Sequence, residues 1–228
     1  MLDTIIEEVR REYLRRMTRG DGVLLRQVEQ YTAQREGKML RPRLTLLAAA
    51  TLGDEVLHSR RTLLLATCVE MLHNASLLHD DVVDAADSRR GQPSVNARWN
   101  SRVAVLVGDY HLAQIMTLLN EVDDMEASRL INSTVMAMVE SELLQQEVLS
   151  GAEMTEDRYL KIIDGKTARL FSAACSLGNP EYADFGLHYG RLFQLRDDIA
   201  DGDDTPWTAG LAAREEQILN EMPRQLVV

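Results

Sequence analysis

The feature of this chain that most constrains its fold is a long helical pattern running from about Glu55 to Ala86. The stretch contains neither glycine nor proline and is rich in leucine, alanine and methionine, which are good helix formers. It is followed by the polar segment DSRRGQPSVN, whose Gly91 and Pro93 do not continue a helix. We therefore expect one long helix whose polar end meets a loop.

Composition extends this expectation to the whole chain. Hydrophobic residues make up 45% of the 228 residues, which is enough to bury a sizeable core, and this length suits one domain. The 13 glycines and 5 prolines are few, which favours helices over a barrel or sandwich of short strands. We expect an all-α protein with a single domain over residues 1–228.

Apolar residues at helical spacing predict further helices on both sides of the long one. Pro42 suits the first turn of a helix, while Thr155 and Gly178 suit a helix start and a helix stop. The expected helices are Thr4 to Met17, Gly22 to Arg35, Pro42 to Gly53, Arg102 to Leu119, Asp124 to Ser150, Thr155 to Leu177 and Glu181 to Asp201.

The formal net charge of -11 argues against a nucleic-acid surface, because clustered lysine and arginine bind phosphate backbones. Negative charge concentrated in a cleft can instead recruit divalent cations, which then hold an anionic substrate. The charge therefore excludes one class of partner and leaves phosphate binding open.

The remaining composition bears on the compartment. Cys68 and Cys175 both lie in apolar helical settings, which predicts buried thiols and a reducing compartment. The N-terminus MLDTIIEEVRREYLRR is too charged for a signal peptide, and no apolar run reaches the ~18 residues of a membrane span. We expect a cytoplasmic protein without a transmembrane segment.

Two aspartate clusters carry the chemistry: HDDVVD at 79–84 and RDDIAD at 196–201. On a helix, Asp80 and Asp84 project from the same face one turn apart, and Asp81 lies about 100° round. The second cluster repeats this geometry with Asp197, Asp198 and Asp201.

Both clusters fall near the ends of otherwise apolar helices. Two carboxylates about 4 Å apart repel by up to ~4 kcal/mol at an effective dielectric of ~20, so a cation is expected near them. Mg2+ fits, because proteins usually hold it by one or two carboxylates plus waters and substrate phosphates. Facing each other across a helical bundle, the clusters would hold metal and diphosphate. The alternative is that each is a solvated helix end, although two matched copies weaken that interpretation.

Cationic side chains complement the two clusters. The segment GKMLRPR places Lys38 and Arg41 at the start of a buried helix, and RRG at 89–91 follows the first cluster by a short loop. Arginine can bind phosphate oxygens by bidentate contact, and lysine binds them as a point charge. His73 lies seven residues before Asp80, on roughly the same helix face. Taken singly, such residues are more often surface charges, and a lone histidine is more often a satisfied, partly buried side chain.

Five segments together resemble the motifs of the trans-polyprenyl diphosphate synthases in order and spacing. They are GKMLRPRL, EMLHNASLLHDDVVDAADSRRGQPS, VGDYHLA, GKTARLF and FQLRDDIAD, and they cover about residues 37 to 201. The resemblance implies an all-α bundle around a central cavity, usually in a homodimer. It also implies a reaction in which Mg2+ assists departure of diphosphate from an allylic substrate. The double bond of isopentenyl diphosphate attacks the resulting carbocation, and a proton is lost.

The same resemblance implies roles for individual residues. Mg2+ is expected at Asp80, Asp84, Asp197, Asp198 and Asp201, and the catalytic set is expected to be Asp80, Asp81, Asp84, Asp197 and Lys166. The isopentenyl diphosphate site is expected at Lys38, Arg41, His73 and Arg90. The allylic diphosphate site is expected at Arg89, Lys166, Thr167 and Gln194.

Product length is also legible in this family. Ala75 and Ser76 lie five and four residues before Asp80, where bulky aromatic residues close the cavity in relatives that make short products. Small residues there predict a product longer than farnesyl diphosphate. The alternative is that they only allow close helix packing.

The chain departs from the family pattern after Asp201. Relatives usually continue with a lysine-bearing loop, a GKxTLP-like segment and further helices, whereas no lysine follows Lys166 here. The final AAREEQILNEMP resembles the C-terminal helix of the family. We therefore expect helices after about residue 201 to be shortened, with a weaker grip on the allylic diphosphate and less cover over the active site.

Three functional hypotheses follow. The first is an active polyprenyl diphosphate synthase. The second is a weakly active or non-catalytic subunit of a heteromeric synthase that binds diphosphates, although such subunits generally lose an aspartate cluster and both clusters are present here. The third, a terpene cyclase, is disfavoured because cyclases normally pair one DDxxD with a different second metal motif.

Overall fold

The computed structural model describes residues 2–33, 37–223 and 226, and it confirms the all-α class. The helices are α1 (Leu2–Met17), α2 (Val23–Ala33), α3 (Leu40–Ala50), α4 (Asp54–Leu57), α5 (Arg60–Val83), α6 (Val95–Arg98), α7 (Ser101–Val122), α8 (Met125–Leu149), α9 (Glu156–Ile163), α10 (Arg169–Gly178), α11 (Ala183–Asp201) and α12 (Thr208–Glu221). A π-helical turn, Asp164–Ala168, joins α9 to α10, and a 3-10 turn, Pro180–Tyr182, precedes α11. Two short antiparallel strands, β1 (Ser88–Arg89) and β2 (Gln92–Pro93), pair Ser88 with Pro93 and Arg89 with Gln92.

Two of the expected helices are divided in the structure, and the end of a third cannot be compared. The pattern from Glu55 to Ala86 is two helices, because the Ser59 side chain accepts a hydrogen bond from the Thr62 backbone N–H (3.1 Å) and caps a new helix, α5. The helix expected from Thr155 to Leu177 is interrupted by the π turn. The expected end of the helix from Gly22 to Arg35 lies outside the described residues.

The chain divides into two compact units, and the first comprises residues 1–43 and 58–124. In it α5 packs against α1 and α7. Arg16, only 1% exposed, contacts Glu12 of its own helix (2.8 Å) and Glu121 at the end of α7 (2.5 Å), and Arg60 of α5 bonds the same two carboxylates. Burial raises the pKa of Glu12, but hydrogen bonds from Arg15 and Arg16 outweigh it and lower that pKa to about 2. These ion pairs join the N-terminal end of α5 to the C-terminal ends of α1 and α7.

The core of the first unit reaches the polar end of α5. Its buried residues there are Val28, Leu78, Val95, Ala104 and Val107. They come from α2, α5, α6 and α7, so the last turns of α5 are fixed by apolar contacts from three helices.

The second unit comprises residues 44–57 and 125–228, of which 224, 225, 227 and 228 lie outside the described residues. In it α11 packs against α10, the π turn and α12. A buried cluster joins α9, α11 and α12 through Tyr159, Ile163, Leu192, Leu195, Leu211 and Ala212. Each aspartate cluster thus belongs to a different unit, and the expectations of one domain and of facing clusters stay predictions.

One described helix, α7, is long and apolar enough to cross a membrane by length and composition. A core helix of a soluble protein meets the same criterion, so this finding is weak evidence for a membrane span. The expectation that the chain lacks a transmembrane segment stays a prediction.

Candidate active site

The first aspartate cluster forms the last turn of α5. The Asp84 backbone N–H donates to the Asp80 carbonyl (2.8 Å), and Ala85 then leaves the helix with a positive φ of 49°. Asp80 is half-buried and Asp84 is exposed. The predicted i, i+4 geometry is therefore present, with both carboxylates on one helix face.

Asp81 has a different environment from its neighbours. It is 2% exposed, and its Oδ1 accepts hydrogen bonds from Nε (2.8 Å) and Nη2 (2.6 Å) of Arg89, which lies on β1. Two of the predicted site residues are thus bonded to each other. The pair joins β1, which Arg90 directly follows, to the end of α5.

A group of cationic side chains lies beside this helix in the first unit. Burial lowers the pKa of His73 well below 6.5, and the charges of Arg41, Arg90 and Arg89 lower it further. The pKa of Arg41 is lowered to about 10, mainly by burial and also by Arg90, while Glu70 opposes the shift. Four side chains assigned to diphosphate binding therefore act on one another electrostatically. Lys38, the remaining residue of the predicted isopentenyl diphosphate site, is exposed.

Arg90 of this group borders a cleft of about 460 Å³ that is open to solvent. Its lining includes Thr32, Gly37, Met39, Glu70, Asn74 and Arg90. Met39 and Arg90 both have positive φ angles, 51° and 52°, which non-glycine residues adopt at a cost. Such strain persists where the surrounding structure over-determines the backbone, and it clusters at functional sites.

Glu70 and Asn74 line this cleft and were not among the residues predicted from the sequence. Glu70 is 7% exposed, burial raises its pKa, and it accepts a hydrogen bond from Asn74 (3.2 Å). The available signal was a lone acidic residue inside the apolar run TLLLATCVEML, one turn before His73.

The second aspartate cluster forms the last turn of α11 in the second unit. Asp197 and Asp201 are exposed, whereas Asp198 accepts hydrogen bonds from the Tyr159 hydroxyl (2.5 Å) and the Gln194 amide (2.7 Å). Burial raises the pKa of Tyr159, and its hydrogen bond to Asp198 raises it further. Tyr159 is a further residue that sequence reasoning missed.

The predicted allylic-site residues of this unit are connected to the second cluster. The Thr167 hydroxyl donates to the side-chain oxygen Oε1 of Gln194 (2.5 Å), and the Gln194 side-chain amide N–H in turn donates to Asp198. Lys166, in the same π turn as Thr167, contacts Glu142 (2.8 Å) and donates to Gln145 (3.2 Å) on α8. The chain therefore brings Thr167, Gln194 and Asp198 into one hydrogen-bonded series.

The donor set fits a hard divalent cation. Among the described residues, no group of three histidine, cysteine or acidic side chains is arranged as a closed metal site. Each cluster instead offers two carboxylates at i and i+4 on a helix end. This arrangement suits Mg2+, which keeps waters and takes substrate phosphates as its remaining ligands.

The proposed chain-length positions lie one turn before the first cluster. Ala75 is completely buried, and Ser76 is half-buried with its hydroxyl bonded to the His73 carbonyl (2.9 Å). Met71 and Leu72, one further turn back, are buried in the first unit. Burial of Ala75 is compatible with both the cavity-lining and the close-packing interpretations.

Comparisons with known proteins identify the family of the chain. The sequence model of the polyprenyl synthetase family matches residues 23–214. The chain belongs to the polyprenyl synthetase family. It is 42% identical to an all-trans-nonaprenyl-diphosphate synthase (geranyl-diphosphate specific) of Rhodobacter capsulatus over 188 residues, which are 78% of this chain and 57% of the relative.

Two solved structures have the same fold. A decaprenyl diphosphate synthase from Rhodobacter capsulatus matches with a TM-score of 0.83 at 35% identity, over 88% of this chain and 64% of that one. A polyprenyl synthase from Caulobacter crescentus, complexed with calcium and isoprenyl diphosphate, matches with a TM-score of 0.82 at 32% identity, over 89% and 64%. The chain thus spans somewhat more than half the length of these relatives.

Proposed function

We propose that this chain is an Mg2+-dependent trans-prenyltransferase. It condenses isopentenyl diphosphate with an allylic diphosphate and yields an all-trans polyprenyl diphosphate longer than farnesyl diphosphate. The observation that carries the proposal is the group of Arg41, His73, Arg89 and Arg90 in the same unit as the half-buried Asp80 and the exposed Asp84 on the end of α5. A solvated helix end needs no such cationic neighbours, whereas a diphosphate site does.

Isopentenyl diphosphate is held by Lys38, Arg41, His73 and Arg90. Because the pKa of His73 lies well below 6.5, its imidazole is neutral at pH 7 and offers one N–H donor without adding charge. Arg41 keeps its charge, since a pKa of about 10 leaves the guanidinium protonated at neutral pH. The negative charge of Glu70 favours the protonated form of Arg41.

The allylic diphosphate is held by Arg89, Lys166, Thr167 and Gln194. Arg89 uses Nε and Nη2 on Asp81, so Asp81 acts by fixing this guanidinium. Thr167 and Gln194 are aligned by the hydrogen bonds that end on Asp198. Asp80, Asp84, Asp197, Asp198 and Asp201 would hold the cation, which when bound would supply positive charge to the departing diphosphate.

The proposal of a product longer than farnesyl diphosphate rests on the small side chains of Ala75 and Ser76, which would leave room beneath the first cluster. In this proposal product length depends on Ala75 and Ser76 and not on the residues that bind the two diphosphates. The chain-length proposal can therefore fail while the reaction class stands.

A homodimer in the cytoplasm is the proposed assembly. In the second unit, Met136, Val139 and Leu143 of α8 are 62%, 55% and 61% exposed. Their spacing of three and four residues places them on one helix face, so they form an apolar stripe. A second copy of this chain would remove that stripe from water.

The test is to incubate the purified chain with farnesyl diphosphate, labelled isopentenyl diphosphate and Mg2+, and to measure product lengths. Asp84→Asn should reduce turnover by about 100-fold or more, because a carboxylate of a metal site is lost. Asp87→Asn, an exposed aspartate three residues beyond the cluster, is the matched control and should retain turnover. A chain that binds diphosphates but elongates nothing would instead support the subunit hypothesis.

A further inference from the structure

Four ionisable side chains form a network in the second unit that the proposed reaction does not use. Arg191 of α11 makes a forked contact with Asp164, from Nε to Oδ1 (2.5 Å) and from Nη2 to Oδ2 (2.7 Å). Glu215 of α12 contacts Arg191 Nη1 (3.5 Å) and His188 Nδ1 (2.5 Å). Glu215 is only 4% exposed, so the network runs from a buried carboxylate on α12 to the first residue of the π turn.

The π turn is the segment that carries Lys166 and Thr167. It is packed closely on both sides: a Cβ added at Gly165 would lie 2.5 Å from the Ala137 carbonyl oxygen of α8, and one added at Gly190 of α11 would lie 2.7 Å from the Ala168 Cα. Single π turns inside helices are rare and are frequent at functional sites. Their backbone geometry therefore needs support from neighbouring elements.

Helix α11 supports the turn at two points. Arg191 binds Asp164 at the start of the turn, and Gln194 binds Thr167 near its end. Arg191 and Gln194 are three residues apart and so lie on the same face of α11. The turn is held at both ends by one helix face, with Lys166 between the two contacts.

The charges of this network and its partial burial are those expected of a contact that holds the π turn in place. The hydrogen bond to Asp164 raises the pKa of Arg191, and the charges of Asp164 and Glu215 raise it further against the opposing effect of burial. Forked arginine–carboxylate contacts fix orientation as well as distance. By contrast, Arg196 of α11 pairs with Glu216 of α12 where both side chains are more than half exposed.

We propose that Arg191 is a positioning residue for the allylic diphosphate site, and that α12 completes this clamp through Glu215. The clamp holds the π turn so that Lys166 and Thr167 present their donors to the allylic diphosphate. This inference rests on the proposed function. It gives α12 a role beyond apolar packing.

The experiment compares Arg191→Gln with Arg196→Gln. Both variants remove an arginine–carboxylate contact between the same two helices, but only the first touches the π turn. Arg191→Gln should raise KM for the allylic diphosphate about five- to fifty-fold and change KM for isopentenyl diphosphate by less than about twofold. Arg196→Gln should leave the amide exchange of residues 164–168 unchanged, and it is the control for that measurement.

Amide hydrogen exchange of residues 164–168 gives a readout that needs no turnover. It should accelerate in Arg191→Gln and in Asp164→Asn, and the double variant should be no faster than the faster single variant, because both remove the same contact. Arg191→Lys, which keeps the charge without the fork, should be intermediate in both assays and guards against a misfolded variant.

Equal exchange in Arg191→Gln and Arg196→Gln would overturn the clamp. Faster exchange with an unchanged allylic KM would also overturn the positioning role, since the contact would then be only structural. If the unaltered chain elongates no substrate, the proposed function fails, and exchange of the π turn with and without farnesyl thiodiphosphate still decides the clamp.

Discussion

Replacing Gly165 with alanine tests the packing of the π turn directly. The new Cβ would lie 2.5 Å from both the Ala137 carbonyl oxygen and the Ser141 Cβ, which is well inside van der Waals contact. Overpacking of this kind costs roughly 1–3 kcal/mol, and alanine regains roughly 0.5–1 kcal/mol of helix propensity over glycine. The difference is roughly 0–2.5 kcal/mol, with a midpoint of about 1.3 kcal/mol. At about 2–4 °C per kcal/mol for a chain of this length, this midpoint corresponds to a fall in Tm of about 3–5 °C.

The same substitution at Gly210 is the matched control. Gly210 is exposed on α12, nothing lies within 4 Å of its added Cβ, and only the propensity gain of roughly 0.5–1 kcal/mol applies. Its Tm should rise by about 1–4 °C when followed by circular dichroism. An unchanged or raised Tm for Gly165→Ala would show that the turn has room to adjust, and would refute the close packing on which the clamp depends.

Three further predictions concern the first unit, the pH dependence and the assembly. Ser76→Phe should shorten the product made from farnesyl diphosphate, as measured by chromatography of the dephosphorylated alcohols; an unchanged product length would sink the cavity-floor hypothesis. The pKa of His73 in the folded chain lies well below its usual 6.5, so only the unfolded chain takes up a proton at His73 as the pH falls below about 6.5. The free energy of unfolding therefore decreases on the acid side by up to ~1.4 kcal/mol per pH unit. His73→Gln should flatten this slope in urea titrations between about pH 6.5 and 5, and an identical slope would contradict the assignment. Leu143→Glu, a charge placed in the apolar stripe of α8, should give a monomer by light scattering, whereas an intact dimer would exclude the stripe as the interface.

Local periodicity explains why much of the fold was predictable. The spacing of apolar residues placed α7, α8 and α11 within a few residues of their ends. Thr155 was correctly assigned as a helix start, and its hydroxyl accepts a hydrogen bond from the Arg158 N–H (3.3 Å). The split at Ser59 was missed because a serine cap interrupts a helix without altering its apolar pattern. The π turn was missed because one inserted residue per turn leaves the composition of a helix unchanged.

The two aspartate clusters show where the sequence by itself was sufficient and where it was not. Their position on the last turns of α5 and α11, with i and i+4 carboxylates on one face, is a local property of helix geometry and was determined by the sequence alone. Tertiary structure decided how the aspartates differ: Asp81 is buried against Arg89, and Asp198 is held by Tyr159 and Gln194. Packing likewise decided that Glu70 lies near Arg41 and that Arg191 bonds Asp164. Such pairs join residues that are far apart in the chain. They are selected by burial and by the crossing of helices, which no local sequence pattern encodes.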